Sequence, residues 1–301
     1  MSLTKVALLT GGNGYIGSKL AAYLLVKGWT VFLITRSLKC KNIQEDKCKQ
    51  YEYDGTIDSL YQIPNITTSN CVVFHLAAYS SINNNDDNAI KSLYDSNILF
   101  GTHLLMFMRR RRLCRIIYAE TYWQFGGNGE YAPNTLYAAS KMAFTDILKY
   151  FSRDCIDSTC LVLYDVYSLD DTRPKLLNYL LSNKDSNKVI NLSPGRQIID
   201  YVHVEDVIEA FRLAGDLSLG NDNIGFRRYA IRSMEERTLQ EYIEIIEREI
   251  KPRYKICWGG ADYPVHQIMT PWLPSKDLSP PGWVPKLRFS EVFKRYKNEV
   301  R

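Results

Sequence analysis

Four closely spaced glycines follow the first apolar run of the chain, in the stretch Leu8-Leu9-Thr10-Gly11-Gly12-Asn13-Gly14-Tyr15-Ile16-Gly17. A dinucleotide-binding turn uses three of them, and both Gly12-x-Gly14-x-x-Gly17 and Gly11-x-x-Gly14-x-x-Gly17 fit its spacing. The residues before them predict a buried strand, and residues 18–26 predict a helix. In such a turn one glycine makes the tight bend, one admits a pyrophosphate, and one lets the helix pack on the strand. The N–H groups of the helix N-terminus attract the anion. We therefore expect a dinucleotide to be bound; glycines that serve only a tight turn are the alternative. The expected contacts are Gly11, Asn13, Gly14, Tyr15, Ile16 and Gly17.

Strand and helix patterns alternate through the first half of the chain. The predicted strands are residues 6–10, 31–35, 50–53, 72–76, 115–119 and 159–164. The predicted helices are residues 18–27, 88–108 and 137–151, followed more loosely by 174–182, 204–214 and 238–250. This alternation is typical of an α/β fold with a doubly wound parallel sheet. We expect a Rossmann domain over 1–165 plus about 200–228, and a smaller C-terminal substrate-binding domain over about 166–199 plus 229–301.

The composition is that of an ordinary globular enzyme, with 301 residues, 46% hydrophobic and 24% charged residues, and a net charge of +5. Seven cysteines without a Cys-x-x-Cys pair argue against zinc or a disulfide framework and favour a reducing cytoplasm. We expect no metal site. The chain starts without a secretory signal pattern, and it lacks an apolar run long enough to span a membrane.

One dense basic run, Arg109 to Arg112, follows the predicted helix 88–108. Cations at a helix C-terminus are favourable to the helix dipole. No recognition motif accompanies the run, so we expect no nucleic-acid partner.

The residues after the second and third strands bear on the choice of cofactor. NAD-preferring folds place an acidic residue about 20 positions past the glycines, to bind the ribose 2′-hydroxyl. This chain has Thr35 and Arg36 there, and an arginine can pair with a 2′-phosphate. NADP(H) is therefore predicted over NAD(H), which is the runner-up. Asp54 could accept from the adenine amine, although a plain turn residue before Gly55 is the alternative.

Tyr137 and Lys141 are four residues apart on a predicted helix and therefore share one face. A nearby cation favours the phenolate and is expected to lower the pKa of the tyrosine. A tyrosine tuned in this way can exchange a proton near neutral pH. We therefore expect this pair to be catalytic.

The chain resembles the extended short-chain dehydrogenase/reductases, or NAD-dependent epimerase/dehydratase family, that act on nucleotide sugars. The matching pieces run in the family's order through nearly the whole chain: Thr10 to Gly17, His75-Leu76-Ala77-Ala78, Asn97, Thr121, Tyr137-x-x-x-Lys141 and Asp200 to Val207. The resemblance implies a homodimer built through helices 88–108 and 137–151.

The same resemblance implies the roles of individual residues. Tyr137 would exchange a proton with the sugar oxygen, Thr121 would hydrogen-bond that oxygen, and Lys141 would hold the nicotinamide ribose. Leu76, Ala77 and Ala78 would lie along the cofactor. The candidate substrate contacts are Tyr79, Ser81, Tyr122, Trp123, Asp165 and Arg173.

The departures from the family pattern narrow the reaction. In the family's 4,6-dehydratases an Asp-Glu pair follows the catalytic threonine, whereas here Tyr122 and Trp123 follow Thr121. Ile199 stands where many relatives have arginine, and Asp165 where many have asparagine. The chain is most similar to the branch that reduces 4-keto deoxysugar nucleotides and includes CDP-abequose and CDP-paratose synthases.

Three functions follow. The leading one is NADPH-dependent reduction of the C4 ketone of a nucleotide-linked 4-keto-6-deoxy or 3,6-dideoxy sugar, in surface polysaccharide synthesis. The alternatives are an NAD-dependent 4-epimerase and a non-catalytic dinucleotide sensor.

Several residues keep a structural alternative. We expect His75 to be a packed, satisfied side chain, and His203 and Asp206 to lock the second domain to the sheet. Trp123 fits the core as well as a pocket wall, and Arg173 fits the surface as well as a diphosphate clamp.

Overall fold

A seven-stranded parallel sheet forms the centre of the computed structural model, which describes residues 4–38, 47–66, 68–80, 86–220, 223–274 and 278–299. Its strands are β1 (Val6–Thr10), β2 (Thr30–Thr35), β3 (Cys48–Glu52), β4 (Cys71–His75), β5 (Arg115–Thr121), β6 (Asp157–Leu163) and β11 (Phe226–Ile231). Their order is β11-β6-β5-β4-β1-β2-β3. The six predicted strands are confirmed. The order reverses beside β1, so the crevice at the carboxyl edge opens next to the glycine turn.

Helices cover both faces of this sheet because the strands are apolar on both sides. On one face Leu9 and Leu33 pack with α1 (Tyr15–Val26) and α7 (Val204–Leu219). On the other face Leu8 packs with α4 (Phe100–Arg111) and α5 (Leu136–Phe151). The doubly wound α/β fold is therefore confirmed.

The predicted helix 88–108 consists of three segments. It comprises α3 (Asp87–Tyr94), a π-helical turn (Asp95–Leu99) and α4. A π turn inserts an extra residue into the helix, and such turns often lie at functional sites. The side chain of Asn97, in this turn, is buried and faces the site described below.

A separate apolar cluster forms around the C-terminal helices α6 (Leu176–Ser182), α8 (Leu239–Ile250) and α9 (Phe289–Glu299). Six short strands pair beside it: β7 (Asp165–Tyr167), β8 (Val189–Leu192), β9 (Ile198–Ile199), β10 (Tyr201–His203), β12 (Arg237–Thr238) and β13 (Lys255–Trp258). The remaining helix, α2 (Ile57–Leu60), follows β3. The last strand of the central sheet runs to Ile231, three residues beyond the expected boundary at 228.

Asp206 connects the C-terminal region to α7, a helix that packs on the central sheet. Its carboxylate accepts hydrogen bonds from the backbone N–H groups of Lys286 and Leu287, each at 3.0 Å. Its carbonyl accepts from the indole N–H of Trp283, also at 3.0 Å. These bonds hold the segment 283–287 against α7, as the expected locking role requires.

The basic run at the end of α4 packs against neighbouring aromatic side chains. Arg109 lies over the ring of Phe151, and Arg110 donates to the Tyr61 hydroxyl at 2.8 Å. Arg112 ends the helix in the left-handed conformation. These contacts give the run a structural role. Among the described helices, none combines the length and apolar character needed to cross a membrane.

Candidate active site

The glycine turn closes tightly enough that side chains are excluded at two of its positions. Gly11 has a φ of +75°, and a Cβ there would lie 2.7 Å from the backbone nitrogen of Ala77. A Cβ at Gly17 would lie 2.1 Å from the carbonyl oxygen of Gly11. Gly14 directly precedes α1 and has no side chain to cap it, which leaves the first N–H groups of the helix open to an anion. The turn therefore fits the pyrophosphate of a dinucleotide.

A cleft of about 830 Å³ opens beside this turn. Eight of the predicted cofactor contacts line it: Gly11, Asn13, Gly14, Arg36, Asp54, Leu76, Ala77 and Ala78. Sequence reasoning missed other lining residues, among them Tyr53, Ser92, Asp95, Ser96 and Phe100. Tyr53 stacks on Phe100 with 4.2 Å between ring centroids. Tyr53 directly follows β3, whereas Phe100 begins α4, so the two residues are far apart in sequence. Only the fold brings them together.

Arg36 and Asp54, the two charged candidates that line the cleft, differ in their hydrogen-bond partners. Arg36 is exposed, and its guanidinium has no hydrogen bond or ion pair within the described ranges. Asp54 accepts from the backbone N–H and hydroxyl of Thr56 at 2.8 and 2.7 Å, which lowers the pKa of the carboxyl. Asp54 is thus a turn residue that also faces the cleft.

Tyr137 lies in the first turn of α5, which Thr135 caps by accepting from the N–H of Ala138 at 3.2 Å. Its hydroxyl makes no hydrogen bond to a described residue. Burial raises its pKa to about 12. The expectation of a lowered pKa is therefore wrong for the chain by itself, because burial removes the water that would stabilise the phenolate.

Lys141 follows one turn later and is 2% exposed. Its ammonium lies 4.2 Å from the ring centroid of Tyr118, and burial lowers its pKa to about 7. A buried cation without a hydrogen-bond acceptor among the described residues is costly to the fold. Such an ammonium is available to the hydroxyls of a bound ligand.

Thr121 ends β5 and begins a short 3₁₀ turn (Tyr122–Gln124). Its Oγ1 accepts from the backbone N–H of Trp123 at 3.3 Å. Because this bond uses a lone pair, the hydroxyl hydrogen stays free to donate to a substrate oxygen.

Asn97 joins the π turn to the catalytic helix. Its side chain accepts from the N–H of Tyr79 at 2.7 Å and donates to the carbonyl of the same residue at 2.9 Å. It also donates to the Ser140 hydroxyl at 2.9 Å, which in turn donates to the carbonyl of Tyr137 at 2.7 Å. Tyr79 is thus held by its backbone beside the catalytic helix.

His75 is packed but only partly hydrogen-bonded. Its Nδ1 lies 2.7 Å from the Thr10 hydroxyl, whose oxygen accepts from the N–H of Ala77 at 3.2 Å. Its Nε2 is buried without a partner among the described residues. Burial lowers the pKa of the ring to about 3, so it is neutral at physiological pH.

Tyr122 and Trp123 stand where an acid–base pair for elimination would be needed. Tyr122 donates to the Asp165 carboxylate at 2.8 Å and stacks on Tyr164. Burial raises the pKa of Asp165. Trp123 is half-buried and lies edge-on to the Tyr137 ring, with 6.5 Å between centroids. Neither side chain can act as the acid–base pair.

Arg173 is already paired within the chain. Its guanidinium donates to both oxygens of Asp171, with Nε 2.9 Å from Oδ1 and Nη2 2.6 Å from Oδ2. It also lies 4.3 Å from the ring centroid of Tyr15, at the start of α1. Tyr15 donates in turn to Asp170 at 2.9 Å. Ser81 lies outside the described residues.

Together these residues can bind a dinucleotide beside a proton donor. Residues 7–224 match the NAD dependent epimerase/dehydratase family. CDP-abequose synthase of Yersinia pseudotuberculosis is 30% identical over 88% of this chain and 90% of that protein. The putative UDP-glucose 4-epimerase of Methanocaldococcus jannaschii is 26% identical over 98% of each chain.

The fold is shared with solved structures at lower identity. MoeE5 in complex with UDP-glucose and NAD superposes with a TM-score of 0.81, covers 98% of each chain and is 19% identical. The fit of the glycine turn to a pyrophosphate and the extent of the sequence match support the same assignment. The chain is an enzyme of the NAD dependent epimerase/dehydratase family.

Proposed function

We propose that the protein reduces the C4 ketone of a nucleotide-linked 4-keto-6-deoxy or 3,6-dideoxy sugar, with NADPH, in surface polysaccharide synthesis. One observation carries the proposal: Tyr122, which donates to Asp165, and Trp123, whose ring lies edge-on to the ring of Tyr137, follow Thr121. The chain retains the cofactor turn needed for hydride transfer and a proton donor in Tyr137. It lacks the acid–base pair that elimination of water needs after Thr121. Net reduction of a ketone remains.

Each catalytic residue has a task that its surroundings allow. A bound nicotinamide cofactor supplies the hydride. Tyr137 donates its phenolic proton to the sugar oxygen, and Thr121 donates a hydrogen bond to the same atom. The Lys141 ammonium binds the ribose hydroxyls and stabilises the phenolate that forms.

The similarity to CDP-abequose synthase supports this function, whereas the similarity to UDP-glucose 4-epimerase keeps epimerisation as the alternative. A dinucleotide sensor would need no proton donor, so the intact Thr121, Tyr137 and Lys141 weigh against it. Incubation with a panel of nucleotide 4-ketosugars, following NADPH absorbance, tests the proposal. Interconversion of two nucleotide sugars without added or consumed cofactor would establish the epimerase instead.

We further propose that the chain has two domains, one that binds the cofactor and one that binds the substrate. Residues 1–165 and about 200–228 would bind the cofactor, while about 166–199 and 229–301 would bind the sugar nucleotide. Tyr79, Ser81, Tyr122, Trp123, Asp165 and Arg173 stay predicted substrate contacts. The six described cysteines are free, which suits a cytoplasmic enzyme.

Arg36→Asp is expected to reverse the cofactor preference. The wild-type guanidinium is exposed, unpaired within the described chain and beside the cleft, so it can bind a 2′-phosphate. A charge-assisted hydrogen bond contributes about 1.5–3 kcal/mol, which corresponds to roughly ten-fold or more in affinity. Fluorescence titration with NADPH and NADH measures both constants.

Arg153→Asp is the matched control, since this arginine is also exposed but lies after α5 and away from the cleft. It should leave both constants unchanged. Equal affinities of the wild-type protein for the two cofactors would remove the preference for NADP(H).

A homodimer through helices 88–108 and 137–151 is also proposed. On α5 the side chains of Leu136, Ala143 and Tyr150 are exposed, and their spacing places them on one stripe. Ala143→Arg is expected to yield monomers, because it places a charge in the middle of an apolar interface. Light scattering at micromolar concentration measures the mass.

Ala22→Arg controls for the added charge, since Ala22 is an exposed alanine on α1. It should stay dimeric. A monomeric wild-type protein under the same conditions would contradict the proposed interface.

A further inference from the structure

A carboxylate is buried directly behind the catalytic threonine. Glu120 precedes Thr121 on β5, and its side chain is 0% exposed. Successive residues of a strand point to opposite faces, so Glu120 points away from Thr121 and toward α5. It therefore lies under the catalytic helix and outside the substrate cleft.

Two side chains hold this carboxylate. Arg228 on β11 donates from Nε to Oε2 at 2.6 Å and from Nη2 to Oε1 at 2.9 Å. Thr145 donates its hydroxyl to Oε1 at 2.5 Å. A bidentate arginine pair with a further hydrogen bond fixes the carboxylate in one orientation.

The same threonine connects Glu120 to the catalytic lysine. Thr145 lies one turn after Lys141 on α5, and its Oγ1 is 3.1 Å from the lysine's carbonyl oxygen. The Lys141 side chain rests over Tyr118, two residues before Glu120 on the same face of β5. Ammonium and carboxylate thus share one buried layer between β5 and α5.

We propose that Glu120 is a positioning residue, whose carboxylate, held by Arg228 and Thr145, favours the charged form of the Lys141 side chain and fixes its place over β5. The inference rests on the proposed function for its effect on turnover. Its central test needs neither cofactor nor substrate.

The other groups that face Lys141 carry no opposing charge at neutral pH. Burial keeps His75 on β4 neutral by lowering its pKa to about 3. Burial also raises the pKa of Tyr118 and of Cys160 on β6 well above their ordinary values. Burial likewise raises the pKa of Tyr137, on the same helix, to about 12. Among the described residues, Glu120 is therefore the carboxylate whose negative charge favours the ammonium form of Lys141.

Arg228 approaches the carboxylate from the opposite side. It comes from β11, two strands away from β5, whereas Lys141 lies toward β4. Removing Glu120 would cost Lys141 its anion and leave the like charge of Arg228. Removing Arg228 would leave the carboxylate facing Lys141 alone. Removal of Glu120 and removal of Arg228 should therefore shift the pKa of Lys141 in opposite directions.

The test follows the titration of Lys141 by NMR in protein with ¹³C-labelled lysines, its Cε signal assigned by its loss in Lys141→Arg. The wild-type midpoint is expected near pH 7. Glu120→Gln should lower it by about one pH unit, a tenfold change in proton affinity. Arg228→Gln should raise it. In turnover assays Glu120→Gln should then lose activity as pH rises, at lower pH than wild type.

Asp157→Asn is the matched control, because Asp157 on β6 is a similarly buried carboxylate that pairs with Arg227, the neighbour of Arg228 on β11. It should cost stability without moving the Lys141 midpoint. An unchanged midpoint in Glu120→Gln, or a fall in both Glu120→Gln and Arg228→Gln, overturns the inference. A shifted midpoint in a protein that reduces no ketosugar would refute the proposed function and leave the inference standing.

Discussion

Tyr137→Phe is expected to lower turnover by a factor of about 10²–10⁴, the usual effect of removing a general acid. The melting temperature and the cofactor affinity should stay close to wild type, because the hydroxyl makes no hydrogen bond within the described chain. The ring, which meets the edge of Trp123, is retained in the variant. Steady-state kinetics, thermal melting and cofactor titration separate the three effects.

The raised pKa of Tyr137 determines the protonation state in which the phenol starts the reaction. With a pKa of about 12, the phenol of the chain alone stays protonated throughout the physiological range. A reductase needs its acid protonated at the start of the reaction, so this state suits net reduction. Lys141, whose pKa is about 7, is half charged near neutrality and gains protons as pH falls.

Glu120 and Tyr122 are neighbouring residues that could replace the lost acid, but each already has its own hydrogen-bond partners. Glu120 is bound by Arg228 and Thr145 on the far face of β5. Tyr122 donates its proton to Asp165. Tyr179→Phe, on the exposed face of α6, controls for the removal of a hydroxyl. Near-normal turnover in Tyr137→Phe would mean that a group other than Tyr137, Glu120 or Tyr122 supplies the proton.

The parts of the fold that sequence predicted well are those with local signals. A continuous apolar strand, a glycine turn and a helix lie within the first 26 residues, so β1 and α1 needed no distant contact to be recognised. The last strand of the sheet, β11, was missed because Arg227 and Arg228 interrupt its apolar pattern. Those arginines are explained by partners on β6 and β5, which are distant in sequence.

The site divides in the same way. The i, i+4 spacing of Tyr137 and Lys141 was readable because a helix places them on one face. The place of Tyr53 and Phe100 in the cleft could not be predicted from sequence, since their stacking depends on how α4 packs beside β3. The pKa of Tyr137 was predicted with the wrong sign because spacing reports a nearby cation but not the depth of burial, which dominates here.

Gly17→Ala is expected to weaken cofactor binding by about ten- to a hundred-fold and to destabilise the fold by about 1–3 kcal/mol, the range found for overpacked sites. Intrinsic propensity argues the other way, since alanine normally stabilises a helix interior relative to glycine by about 0.5–1 kcal/mol. Sterics decide the sign. The added Cβ would lie 2.1 Å from the carbonyl oxygen of Gly11 and 2.8 Å from its carbon.

Because both atoms belong to the backbone, no side-chain rotation can relieve the contact, and α1 must move away from β1. That movement displaces the N–H groups expected to bind the pyrophosphate, so affinity and stability should fall together. Gly225→Ala controls for the loss of a glycine, since a Cβ there meets nothing within 4 Å, and it should change stability by no more than about 0.5 kcal/mol. Chemical denaturation and cofactor titration measure both effects. Wild-type affinity in Gly17→Ala would mean that α1 does not hold the pyrophosphate.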